Sequence, residues 1–558
     1  MAGIKVAVGE EYFEELRKNG CYYVDKTEMI YQIAAGGEAR VTLFTRPRRF
    51  GKTLTMTMLR SFFDLARESK DVFNGLAVSE HKDFCREWQN QYPVLFISFK
   101  DVEGLDFEEA YEMLGCRIAD LCKNVDYLET SDKVKASDKE VFKKLIYEEA
   151  DGAKLKNSLL LLTRMMHDHY QKQVILLIDE YDVPLAKAHE ADRESSGYYK
   201  KMLGVIRGLL GSVLKTNPFL KLAVLTGCLR ISKESVFTGV NNFKTYSILN
   251  HKFSDAFGFT ESEVIQLLEA AGLSARLELV KSWYDGYIFG KTAIFCPWDV
   301  INFVSDCGDD SDMEPGNYWQ DTSGNDIISN FVDNKKFDVS KKFETLLNGE
   351  AIEQDVTDQL TYENLGDKEE NLWSVLFMAG YLTKADKAEK RSRMHLRIPN
   401  AEIGGIFEAS VASHFQKSIN GNIQKELMAA FWNQQADKAS KLISDLLWDT
   451  ISYHDYHENY YHAFMTGMFV GCGYAVESNQ ENGLGRTDLV VTDRKNRRAI
   501  IIEAKKANRE EDLESACLEG KKQIIKKQYI RGLKGYTQIF CYGIGFFQKT
   551  AMVRELRL

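Results

Sequence analysis

Two stretches of the chain, VTLFTRPRRFGKT at 41–53 and VILLIDEYD at 174–182, end apolar runs in groups that do phosphate chemistry. In the first, a β-branched strand from Val41 to Phe44 enters a loop closing on Gly51-Lys52-Thr53, and a helix-like apolar pattern begins at Leu54. Backbone N–H groups of such a loop and the positive end of the following helix cradle phosphate oxygens. Lys52 supplies a point charge there, and the Thr53 hydroxyl is a ligand for Mg²⁺. Arg49, Phe50, Gly51, Lys52, Thr53 and Leu54 are the expected contacts. The spacing GxxxxGK[ST] asks for a glycine at position 46, where this chain has Arg46. Arginine does not take a glycine-only conformation cheaply, so the loop entrance is expected to be reshaped, stiffened by Pro47 and flanked by Arg48 and Arg49.

A basic turn between strand and helix would account for the first stretch alone. The second stretch decides the matter. Val174 to Ile178 reads as a buried parallel strand, and it ends in Asp179-Glu180. Phosphoryl transfer needs both carboxylates: Asp179 to hold Mg²⁺ through water, and Glu180 to orient the attacking water. ATP with Mg²⁺ is the predicted ligand.

A second group of chemistry-bearing residues lies in GLGRTDLVVTDRKNRRAIIIEAKKA at 483–507. The pattern predicts a hairpin: apolar Leu489 to Val491, a polar turn around Lys495-Asn496, and apolar Ala499 to Ile502. A turn symmetric about Lys495-Asn496 sets Asp488 opposite Glu503, with Cβ atoms about 4.5–5.5 Å apart. Period two adds Lys505 to the Glu503 face. Opposed like charges repel unless a cation lies between them, and oxygen ligands suit Mg²⁺ or Mn²⁺. Asp488 and Glu503 are therefore the expected metal ligands, and Lys505 the group that positions a metal-bound water. That chemistry is metal-dependent phosphodiester hydrolysis. Glu458, on a helix preceding the hairpin, is a candidate auxiliary metal carboxylate or else a solvent-facing glutamate.

The C-terminal stretch resembles the PD-(D/E)XK nuclease superfamily, with Asp488 as the metal-binding aspartate and Glu503-Ala504-Lys505 as the ExK element. ENYYHAFMTGMF and ESNQENGLGR carry the same resemblance. The chain as a whole resembles a large prokaryotic family that joins an AAA-ATPase-like domain to such a nuclease-like domain. YYVDKT at 22–27, RPRRFGKT at 46–53, LIDEYD at 177–182, LTGCLRISKESVFTGVNN at 225–242, WYDGY at 283–287 and YWQDTSGN at 318–325 carry that wider match. Some superfamily members place a Gln and a Tyr of a QxxxY motif near the metal. Here Gln523 and Tyr529 are six apart rather than four, which argues against carrying the motif over.

Composition fits a multidomain protein with the thiols reduced. At 558 residues, about three or four domains are expected. No apolar run approaches the roughly 20 residues of a membrane helix, and Met1 to Lys5 opens no signal-peptide core, so a cytoplasmic location is expected. The ten cysteines include no CxxC pair, which argues against a zinc knuckle or a disulfide framework. His454, His457 and His462 sit in aromatic company and are read as packing residues. The net charge of −10 excludes an overall basic nucleic-acid binder, yet residues 494–558 hold 16 Lys+Arg against 7 Asp+Glu. That asymmetry fits phosphate-backbone contacts, although Lys521, Lys522, Lys526 and Lys527 would also serve to solvate a helix face.

Positioning these groups requires strands that end together. Val41 to Thr45, Val94 to Phe99, Val174 to Ile178 and Leu222 to Thr226 are strand-like and separated by helix-length segments, which predicts a parallel doubly wound sheet. Thr226 and Arg230 stand where AAA-type ATPases place γ-phosphate sensors; a helix-capping role suits Arg230 equally. The expected class is α/β: a P-loop, AAA-like parallel sheet over 1–251, a helical lid and connector over 252–400, and a mixed α/β restriction-endonuclease-like domain over 401–558. Two function classes follow: an ATPase coupled to a nuclease, with DNA favoured over RNA, or an ATP-dependent switch or scaffold whose nuclease-like domain only binds nucleic acid or a partner. Homo-oligomerisation stays open.

Overall fold

Val41–Thr45 (β1) and Val174–Asp179 (β3) are buried at every residue, as befits parallel strands covered on both faces. They lie in a five-stranded sheet with Val94–Ser98 (β2), Leu220–Gly227 (β4) and Phe243–Tyr246 (β5), ordered β2-β3-β4-β1-β5. Every pairing in it is parallel. The computed structural model describes residues 4–556 apart from 38, 193–196, 230–235, 238–239, 241, 311, 320–327, 329–336, 338, 359, 361, 363–364, 366–367, 387–392, 419–420, 451–457, 471–473, 483–484 and 534. The four strands expected from the sequence are present. The fifth, β5, has only four residues and leaves Lys244 exposed, so its sequence lacks the apolar run that announces a central strand.

By its contacts the chain gathers into two compact units, Met1–Asp321 with Glu353–Asn400, and Thr322–Ile352 with Ala401–Leu558. In the first, the order β3-β4-β1 brings the C-terminal ends of these three strands side by side, which is where ligands bind in open α/β sheets. Beyond the sheet the expected helices appear, Glu261–Ala271 and Pro297–Asp309 among them, together with a short hairpin, Tyr287–Phe289 and Thr292–Ile294.

The second unit is built on a mixed sheet whose strands Ala475–Asn482, Gly485–Asp493, Arg498–Lys506, Gln538–Phe547 and Thr550–Leu556 follow chain order. All pairings are antiparallel except that of Arg498–Lys506 with Gln538–Phe547. A parallel pair needs a crossover, and the helix Leu513–Lys526 supplies it. That helix lies directly on the sheet at Gly543, where an added Cβ would come within 2.1 Å of the Cys517 carbonyl oxygen. Among the described residues no helix is long and apolar enough to cross a membrane, and the cysteines form no disulfide.

Gly543→Ala is expected to push the crossover helix off the sheet, at a cost of about 1–3 kcal/mol. Thermal unfolding of the full chain reads this as a lowered midpoint; an unchanged midpoint would show that the contact yields without cost.

Candidate functional sites at two sheet ends

The loop after β1 turns into the helix Lys52–Phe63 through two left-handed residues, Arg49 at φ 71° and Gly51 at φ 76°. Arg46 does not need the left-handed region at all. Its side chain is fully buried and donates to the carbonyls of Thr45 (2.8 Å), Tyr246 (2.9 Å) and Phe253 (2.7 Å), with the guanidinium against the Phe257 and Phe289 rings. The residue that replaces the customary glycine thus fastens the loop entrance to the end of β5. Burial lowers its pKa to about 9. Arg49 lies over the Trp298 and Trp319 rings and donates to the Tyr318 carbonyl. Phe50 is buried against Tyr287 and Phe289, and Leu54 is half-buried in the first helical turn. The side chains of Arg49 and Phe50 are therefore engaged within the unit.

Lys52 is almost fully buried, and its Nζ donates to the carbonyls of Pro47 (3.1 Å) and Arg46 (3.4 Å) and to Cys228 Sγ (3.5 Å). Glu180 Oε1 lies 3.5 Å away. Burial alone would lower the pKa of this ammonium; Cys228, Glu180, Asp179 and Asp182 outweigh it and carry the net shift upward. Burial pushes the Cys228 thiol up to about 11, so at neutral pH the carboxylates do the holding. Thr53 Oγ1 donates to Asp179 Oδ2 (2.8 Å), and Thr226 Oγ1 to Asp179 Oδ1. Asp179 is fully buried, and burial followed by the Glu180 charge raises its pKa against both hydroxyls and Lys52. Glu180 stands at φ 54°, a conformation a glutamate holds only when its surroundings impose it. The Thr53 hydroxyl and the Asp179 carboxylate are hard-oxygen donors of the kind Mg²⁺ takes, and Glu180 stands beside Lys52. Arg230 lies outside the described residues. The sequence reading missed Asp182, which sits in the same turn and accepts from the Cys228 and Leu229 N–H groups.

In the second unit the hairpin register runs Leu489↔Ile502, Val490↔Ile501, Val491↔Ile500, which is symmetric about Lys495-Asn496. Asp493 sets the turn by accepting from the Asn496 backbone and side chain and from Arg498 Nε. Asp488 and Glu503 consequently meet: the Asp488 N–H reaches Glu503 Oε2 (3.5 Å), and the Ala504 N–H donates to Asp488 Oδ2 (2.8 Å). Lys505 Nζ stands 3.5 Å from Glu503 Oε1. The helix Glu458–Phe469 packs on these strands and sends His462 to the Asp488 carbonyl, which makes this histidine a brace. The Glu458 side chain, His454 and His457 lie outside the described residues.

Gln523 and Tyr529, which their spacing argued against, do converge here. Gln523 Nε2 donates to Glu503 Oε1 and stands 3.3 Å from the Tyr529 hydroxyl. The six-residue spacing works because the helix ends at Lys526 and Gln528 turns left-handed (φ 56°), folding Tyr529 back. Among the described residues no three His, Cys, Asp or Glu side chains converge as a metal cluster; Asp488 and Glu503 offer two carboxylates, and Mg²⁺ ordinarily keeps waters for its other positions.

Residues 7–237 match the family model described as predicted AAA-ATPase, and 456–556 match that of the PD-(D/E)XK nuclease superfamily. The chain joins an AAA-ATPase-like domain to a PD-(D/E)XK superfamily domain. It is also 25% identical over 408 residues, 72% of this chain and 69% of the relative, to a protein of Azotobacter chroococcum mcd 1 described as an uncharacterized protein in the vnfD 5′ region. The first match spans Lys52, Asp179, Glu180 and Thr226, and the second spans Asp488, Glu503 and Lys505.

Burial, with the Asp488 charge adding and Lys505 opposing, pushes the Glu503 carboxyl up to about 8. Below that pH the metal-free chain keeps a proton that a cation must displace, so divalent affinity is expected to rise about tenfold per pH unit and level off above 8. Calorimetric titration with Mn²⁺ between pH 6 and 9 reads this directly; a flat profile would show that the Glu503 carboxyl holds no proton in the metal-free chain.

Proposed function

We propose that the chain binds and hydrolyses ATP at the ends of β1, β3 and β4, and that this drives or regulates a metal-dependent nuclease centred on Asp488, Glu503 and Lys505. DNA is the favoured substrate. The observation that carries the reading is the meeting of Asp488, Glu503 and Lys505 on adjacent strands, with Gln523 bonded to the same glutamate. Two ionised carboxylates side by side with Glu503 fully buried are costly, and either a proton on Glu503 or a cation relieves that cost. A divalent ion held by Asp488 and Glu503 would supply charge neutralisation and an acidified water. Lys505 then orients that water, and Gln523 fixes the Glu503 carboxylate. At the other site Lys52 would bind the β/γ-phosphates, Thr53 and Asp179 would hold Mg²⁺ and Glu180 would orient the attacking water, with Thr226 bonded to Asp179. The basic excess of 494–558 supports a polyanionic substrate. The same proposal assigns ATP chemistry to 1–251, a lid and connector to 252–400, nuclease chemistry to 401–558, and a cytoplasmic place of action.

Lys52→Ala is expected to abolish ATP binding in calorimetry, and unchanged affinity would remove Lys52 from the phosphate site. Glu180→Gln keeps the shape and loses the carboxylate, so ATP still binds while turnover falls by at least about a hundredfold.

Asp488→Ala and Glu503→Ala should each eliminate divalent-metal binding and cleavage of single- or double-stranded DNA or RNA, assayed with Mg²⁺ or Mn²⁺, with and without ATP. Lys505→Ala should keep the metal and lose about a hundredfold in cleavage. Cleavage that survives the double alanine variant would favour the switch-or-scaffold reading.

A further inference from the structure

The turn after β3 is tied to the end of β4 through both Tyr181 and Asp182. Asp182 is 2% exposed, and its Oδ2 accepts from both the Cys228 N–H (2.9 Å) and the Leu229 N–H (2.8 Å). Tyr181 adds two bonds, its N–H to the Thr226 carbonyl (3.0 Å) and its hydroxyl to the Leu229 carbonyl (2.7 Å). Among the described residues the other Asp182 oxygen has no hydrogen-bond partner, and it lies against Gly227, where an added Cβ would approach it to 2.5 Å. A buried carboxylate with one unanswered oxygen costs stability, so the position is not explained by folding alone. What it secures is functional. Thr226, which bonds Asp179, precedes the pinned residues, and Cys228 presents its sulfur to Lys52.

We propose that Asp182 is a positioning residue of the ATP site, fixing the Gly227–Leu229 segment against the Asp179–Glu180 turn so that hydrolysis, more than nucleotide binding, depends on it. This rests on the reading of that site as an ATPase. Glu180 at φ 54° sits inside the fastened turn, and releasing the fastening frees it to relax. The fastening requires only an acceptor, which an amide oxygen also supplies, and Glu180 and Asp179, whose charges act on Lys52 more strongly than that of Asp182, remain to hold the ammonium.

The test compares full-length Asp182→Asn, Asp182→Ala and Asp182→Ser, with the serine too short to reach both N–H groups and a second choice should the alanine variant fail to fold. Asp182→Asn should hold kcat within about threefold of wild type. Asp182→Ala and Asp182→Ser should lose about tenfold or more in kcat with KM for ATP changed less than about threefold. A second readout needs no turnover: the rate at which Cys228 is alkylated by iodoacetamide, mapped by peptide mass spectrometry, should rise in the alanine and serine variants and not in asparagine. Unchanged Cys228 labelling, or wild-type kcat in the alanine or serine variant, overturns the proposal. Faster labelling in a protein whose wild type hydrolyses no ATP overturns the ATPase reading instead and leaves the fastening in place.

Discussion

A lysine ammonium sealed from water among carboxylates is the constraint on which the N-terminal unit depends. Lys52, Asp179 and Asp182 are all buried, and charges taken out of water must be paired closely or not buried at all. Pairing them requires three separate stretches to end at one place: the loop after β1, the turn after β3 and the close of β4. A sheet with β4 lying between β3 and β1 puts those ends together, so the strand order serves the charge arrangement. The C-terminal unit meets a related difficulty with Asp488 beside Glu503, and relieves it with a proton held on Glu503, with Lys505 and with a neutral donor, Gln523.

The parts that could be read from the sequence are those in which one local pattern decides the outcome. Val174 to Ile178 has no polar residue, which a strand covered on both faces requires, and the carboxylates that follow therefore stand at a strand end. The hairpin register was legible for a different reason. Period two allows no partial slip, and the apolar runs on either side of Lys495-Asn496 can bury one shared face only if the turn is centred there.

What stayed hidden depends on partners far away in the chain. Arg46 looked like a flaw in a phosphate loop because its acceptors, Tyr246 and Phe253, are some two hundred residues on. β5 is an edge strand too short and too polar to show. Tyr529 is out of step with a QxxxY spacing of four, and one left-handed residue, Gln528, makes the spacing of six work where no composition rule announces it. Asp182 reads as the last residue of LIDEYD, with nothing nearby to reveal that its acceptors' partners lie at the end of another strand.

Arg49 brings an optical consequence. Its guanidinium lies 5.5 Å from the ring centres of both Trp298 and Trp319, and Trp319 is nearly sealed from solvent. A cation held over an indole face perturbs that ring's excited state, and the chain has seven tryptophans in all. The loop after β1 therefore carries its own chromophores. A rearrangement of Arg49 alters the emission of two rings at once, so the state of the loop is visible in the intrinsic fluorescence of the unlabelled protein.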